Sequence, residues 1–125
     1  MGLLSGLIGN ASVVSNETLQ KDYNKILIKD ENIEAGFKIL RDMFVFTNKR
    51  LLLVDKQGIT GSKIEYLSIS YKSISRFSVE TAGTFDLDAE LKIWVLSEQM
   101  PSISKKFNKS VDVYEVQKIL AEFVL

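Results

Sequence analysis

Asp86, Asp88 and Glu90 recur at every second position in the stretch FDLDAE. On an extended chain such alternation turns three carboxylates to one side, from where oxygen ligands can converge on Ca²⁺ or Mg²⁺. A metal-dependent hydrolase built on carboxylates would be centred on the same trio. The segment lacks the glycine and the ligand spacing of a calcium loop. A solvated acidic loop, or an acidic patch facing Lys or Arg of another subunit, accounts for it better. Arg41, Lys56 and Lys63 fall in turns and are the candidate ligand-facing cations, but Asp42 and Asp55 stand beside the first two. Anion recognition needs a cluster of cations, and this pattern does not supply one. SVETAG carries one glycine and no Lys-Ser/Thr ending, so it is not a nucleotide cradle.

Composition narrows the chemistry further. The 125 residues contain neither His nor Cys, which removes imidazole acid–base catalysis, thiolate chemistry, disulfides and sulfur-based zinc sites. Catalysis would rest on carboxylates, Lys, Tyr or Ser alone, so the reading is a protein that is not an enzyme, with no cofactor and no metal. Sixteen basic residues balance sixteen acidic ones. No global field draws in nucleic acid or anionic lipid, and Tyr66, Tyr71, Phe77 and Phe85 lack the interleaved basic patch of an RNA platform.

Spacing then places these residues on elements. Leu19, Tyr23, Ile26 and Leu27 lie on one side of an amphipathic helix over 16–28, with Asn16 as its N-cap. From residue 34 the period changes to two, and seven short strands follow: EAGFKIL, MFVFT, RLLLVD, KIEYLSISY, SISRFSVET, LKIWVL and SISKKFN. Arg41-Asp42, Asn48-Lys49 and KQGITGS read as turns between them. Val113, Val116, Ile119, Leu120, Phe123 and Val124 form the stripe of a terminal helix, with Asp112 and Glu115 as a capping box.

Arg41-Asp42, Phe46-Thr47-Asn48-Lys49-Arg50, Asp55-Lys56-Gln57-Gly58, Ser78-Val79-Glu80-Thr81-Ala82-Gly83 and the run from Asp86 to Leu91 together resemble the bacterial pleckstrin-homology-like domain family. The resemblance covers residue 34 to the C-terminus. It implies a mainly β fold, a partly open barrel of two antiparallel sheets with about seven strands and a C-terminal capping helix. The short N-terminal helix is added to it. Residues 1–33 read as an apolar tail and amphipathic helix packing on a domain of 34–125, one domain overall. Some members of the family are thought to assemble into rings, and no family-wide enzymatic activity is implied. In eukaryotic relatives a long basic first hairpin loop cradles phosphoinositides; here the first turn, at Arg41-Asp42, is too short for that.

The strands raise a packing problem. In MFVF, RLLLV and LKIWVL, both alternating sets are apolar. A half-buried antiparallel strand should be polar outside. Met43, Val45, Leu52, Val54 and Trp94 are the candidate outer surface, and they exchange roles with their neighbours if the parity is reversed. Two covers are available: the N-terminal segment, through Leu19, Tyr23 and Leu27, and a second copy of the chain. One short helix is little for three strands, which predicts both, and hence a homo-oligomer, ring-shaped if the resemblance extends that far. The loops would then be presented to an unknown protein or peptide. MGLLSGLIG is too short to span a bilayer and lacks a basic n-region, so the reading is cytoplasmic, with peripheral membrane or anionic-lipid binding as the alternative.

Overall fold

The structure is a computed structural model that describes residues 14–39, 42–81, 89–107 and 112–125. The N-terminal stretch MGLLSGLIG, Arg41, Asp86 and Asp88 lie outside the described residues. The described residues divide into two compact units, one ending at Ser70 and the other starting at Tyr71.

The first unit is a helix on a sheet. Helix α1 (Asn16–Tyr23) runs on through a 3-10 turn (Asn24–Ile26) into strands β1 (Ile33–Ile39), β2 (Asp42–Thr47), β3 (Leu51–Gln57) and β4 (Lys63–Ile69). These strands form an antiparallel meander in the order β1-β2-β3-β4. The helix ends earlier than the periodicity predicts because Leu27 turns extended. Its cap is Ser15, whose Oγ accepts from the Thr18 N–H. Asn16 does something else: its side-chain amide donates to the carbonyls of Ile33 and Glu34.

Register decides which strand parity faces where. Phe37, Phe44, Leu53 and Leu67 stand opposite one another, as do Ala35, Phe46, Leu51 and Ile69. Phe37 is stacked on Phe44, with ring centroids 5.6 Å apart. The other face holds Gly36, Val45, Leu52 and Ser68 in one row, with Lys38, Met43, Val54 and Tyr66 in the next. Met43, Val45, Leu52 and Val54, expected as surface for a second copy, are instead buried in one cluster with Leu19 and Ile33. Val14, Tyr23, Ile26 and Leu27 pack against that cluster. One short helix suffices because Gly36 lets it come close: a Cβ at Gly36 would overlap the Leu19 Cδ1. Leu19 is consequently 1% exposed, a burial worth about 1.5–3 kcal/mol.

The second unit contains β5 (Ile74–Thr81), β6 (Ala89–Val95) and β7 (Ile103–Phe107) in the order β5-β6-β7, followed by helix α2 (Val113–Val124). Leu91 and Ile93 point inward and are fully buried; Trp94 and Lys92 take the opposite face. Helix α2 buries Val113, Val116, Ile119 and Leu120. Asp112 caps it by accepting from the Tyr114 N–H, and Phe123 stacks on Tyr71 at 4.6 Å.

Replacing Gly36 with Ala should cost about 1–3 kcal/mol of stability by overpacking against Leu19. Leu19→Ala alone should cost about 2–5 kcal/mol. In the double variant the two losses should be less than additive, because the truncated residue 19 makes room for the new methyl. Urea unfolding of the four proteins checks this.

Candidate functional site

Three features stand out: the joint that holds α1, the β4 edge of the first sheet, and one end of the β5–β6 ribbon. The joint is electrostatic. The Glu31 side chain is completely buried and faces Arg50, which is 22% exposed. Arg50 Nε and Nη2 donate to the two carboxylate oxygens at 2.9 and 3.0 Å. Thr47 Oγ1 donates at 2.6 Å and the Ile28 N–H at 3.0 Å. The same guanidinium reaches the Ile26 carbonyl at 2.6 Å and Ser68 Oγ at 2.8 Å. Residues 26–31 are thereby tied to the β2–β3 turn and to β4. The carboxylate partner of Arg50 is thus Glu31, nineteen positions away in the polar run KDENIE. Burial pushes the Glu31 pKa up, but hydrogen bonds from Arg50, Thr47 and Ile28 and the guanidinium charge outweigh it and hold the group below its usual 4.5.

The two edges of the first sheet are treated differently. The segment entering α1 covers β1: the Val14 N–H donates to the Gly36 carbonyl at 3.0 Å, and Asn16 takes those of Ile33 and Glu34. At the other edge β4 pairs only with β3 among the described residues. Six of its seven residues are exposed, including Ile64, Tyr66 and Leu67. Unpaired edges of this kind are templates for strand addition.

The candidate cations do not converge. Lys56 stands opposite Ile64 and Gln57 opposite Lys63, so the two lysines project from opposite faces of the hairpin. Between them the turn closes through the Gly61 N–H to the Gly58 carbonyl, and both glycines have positive φ (69° and 81°). Ile59 at its tip is fully exposed. Of the carboxylate trio, Glu90 is described: it accepts from Ser104 Oγ at 2.8 Å and lies 3.6 Å from Lys92 Nζ, which also bonds Glu80 at 3.2 Å. The bond from Ser104 lowers the Glu90 pKa first and the Lys92 charge second, against some burial; Glu80, then Glu90, raise that of Lys92. Among the described residues no group of three metal-ligating side chains occurs.

At the far end of the ribbon, β5 bulges at Ser75, so that Arg76 comes opposite Trp94. The guanidinium sits 4.5 Å from the indole centroid. Trp94 Nε1 donates to the Gln99 carbonyl at 3.2 Å, drawing the β6–β7 connection against the ring. In that connection Leu96 and Met100 are 66% and 76% exposed. Leu96 has φ 57°, held by its N–H to the Ser73 carbonyl at 2.8 Å. A branched side chain in that region costs about 1–2 kcal/mol. Trp94, the fifth candidate interface residue, is thus half-buried under Arg76, while the other four lie beneath α1.

Glu31→Gln should cost about 3 kcal/mol at pH 7, since it leaves Arg50 without its counter-charge in a largely dry site. The stabilisation from ionised Glu31 is complete above pH 4.5 and is lost as pH falls through its lower folded value. Between pH 5 and 3 the variant should therefore lose stability less steeply than the parent, as read from urea midpoints.

Comparison with known proteins agrees with this architecture. The family model described as "Bacterial PH domain" matches residues 2–124. The uncharacterized protein YjqA of Bacillus subtilis (strain 168) is 58% identical over 121 residues, covering 97% of each chain. A pleckstrin-homology-domain protein from Shewanella loihica PV-4 is 48% identical, with a TM-score of 0.82 over 94% of this chain and 99% of that one. A pleckstrin homology domain from Shewanella amazonensis SB2B gives the same identity and TM-score over 99% of both chains. With its two antiparallel sheets, terminal helix and near-complete match, the chain belongs to the bacterial pleckstrin-homology domain family.

Proposed function

We propose that the chain is a non-enzymatic, cytoplasmic assembly module that associates with copies of itself and offers the open edge of β4 to a protein partner. One observation carries the self-association: the Arg76 guanidinium lies over the Trp94 indole at one end of the β5–β6 ribbon, and the connection that follows β6 carries two exposed apolar residues, Leu96 and Met100, the leucine at an unfavourable φ. Trp, Arg and Met are the residues enriched at the energetic centres of protein interfaces. A strained, solvent-facing leucine is costly for a monomer and useful at a contact. The large apolar face of the first sheet is already covered by α1, so it contributes nothing to this surface.

Light scattering coupled to size exclusion should return a multiple of the chain mass, and Trp94→Ala with Met100→Ala should lower it without changing the melting temperature by more than a few degrees. A single-chain mass at all concentrations would remove the reading.

A second reading has its own support in Ile59, an aliphatic side chain at a glycine-bracketed tip with Lys56 and Lys63 at its base. Such a tip suits shallow insertion into an anionic membrane surface. Salt-sensitive sedimentation with phosphatidylglycerol vesicles, abolished by Ile59→Ser, would favour it; absence of sedimentation at low salt would dismiss it.

A further inference from the structure

We infer that β4 takes up an extended peptide segment of a partner protein as an added antiparallel strand, whose apolar and charged side chains follow a set order. The inference rests on the proposed reading of β4 as a contact edge and names the partner's chemistry. The direction of the backbone groups follows from one hydrogen bond. The Thr47 N–H donates to the Arg50 carbonyl, so these two residues turn their peptide groups toward each other across the β2–β3 turn. In antiparallel pairs that direction alternates along each strand. Leu52 and Val54 therefore face β2, while Leu51, Leu53, Asp55 and Gln57 face β4, where Ile69, Leu67, Glu65 and Lys63 stand opposite them. Ile64, Tyr66 and Ser68 are left with N–H and C=O directed away from the sheet. The same alternation, carried through β2 into β1, turns Gly36 outward at the other edge, and there the Val14 N–H is bonded to its carbonyl. One edge is met by the segment entering α1; the other offers equivalent groups.

The side chains of β4 define what the added strand carries. Lys63, Glu65 and Leu67 share one face. Both charged residues are exposed, and among the described residues neither belongs to an ion pair. Glu65 stands directly opposite Asp55, a like-charged pair that a cation on the added strand would relieve. A basic residue therefore fits opposite Glu65, an acidic one opposite Lys63 and an apolar one opposite Leu67. On the α1 face, Ile64 and Tyr66 are 41% and 38% exposed, and Tyr23 stands edge-on to Tyr66 with ring centroids 6.4 Å apart. Apolar residues fit opposite both, and a polar one opposite Ser68. Read from its N-terminus, the partner strand runs polar, apolar, apolar, basic, apolar, acidic. The outward N–H and C=O groups supply affinity for any extended chain, and the charges select among sequences.

Amide exchange followed by nuclear magnetic resonance on the full chain tests this, with the capped hexapeptide Thr-Val-Val-Lys-Ile-Glu as probe. At millimolar peptide the amides of Ile64, Tyr66 and Ser68 should gain protection. N-methylation of the peptide at its third and fifth residues, whose N–H groups face β4, should abolish the effect. Methylation at its second and fourth residues, whose N–H groups face solvent, should leave it. The peptide with Lys and Glu exchanged should bind about fivefold more weakly or worse, and Lys63→Glu combined with Glu65→Lys should reverse that preference. Binding that survives methylation at the third and fifth residues, or a preference that the charge reversal leaves in place, overturns the inference while β4 stands as a contact edge. Edge amides already protected without peptide, in a protein that light scattering finds assembled, would mean that a second copy fills the edge, and the inference falls. Edge amides that no form of the peptide protects overturn both the inference and the reading of β4 beneath it.

Discussion

The buried ion pair between Glu31 and Arg50 is the contact on which the first unit depends. Removing a carboxylate and a guanidinium from water costs several kcal/mol for each ion, and their attraction recovers that only with good geometry and full hydrogen bonding. Here the geometry is bidentate, and Thr47 and the Ile28 N–H complete the carboxylate's set of donors. The pair is thus less a store of stability than a device of position. It pins the connection after α1 to the β2–β3 turn, and from there α1 crosses the sheet with Leu19 over Gly36 and Tyr23 against Tyr66.

What α1 covers determines what remains for function. With Met43, Val45, Leu52 and Val54 beneath it, the large apolar side chains still facing solvent among the described residues are scattered in smaller places, among them the β4 edge, the Ile59 tip, and Leu96 and Met100 after β6. The same N-terminal segment closes the β1 edge through Val14 and Asn16. Among the described residues β4 pairs only with β3, which is a difference between two edges of one sheet. That difference, together with a leucine kept at positive φ, is what supports the proposed reading of these places as contact surfaces.

The strands, the turns at Asn48-Lys49 and at Gly58–Gly61, and the Asp112 cap were legible in the sequence because each rests on local spacing. Strand parity was not. With both sets apolar, alternation alone cannot say whether Phe44 or Val45 faces inward, and only the register across three strands resolves it. Gly36 looked like one small residue in a strand; its role is visible only with Leu19 above it. Glu31 sat in KDENIE, a run that reads as solvated, and nothing local marks it as the partner of a residue nineteen positions away. Asn16 had the composition of an N-cap, but Ser15 is the residue that bonds the first turn, since the Asn16 amide is held by β1. The candidate site divided in the same way. Trp94 was singled out by its parity, whereas Arg76 and the conformation of Leu96 emerge only from pairing and backbone angles.

Hydrogen exchange across a dilution series tests most directly whether the second face of the sheet is covered by its own chain. Amides of residues 19–23 in α1, and those of Val45 and Leu52 beneath it, should keep the same protection at every concentration, including those at which light scattering returns a single chain. Protection that collapses in step with the mass would mean that a neighbouring copy supplies the cover.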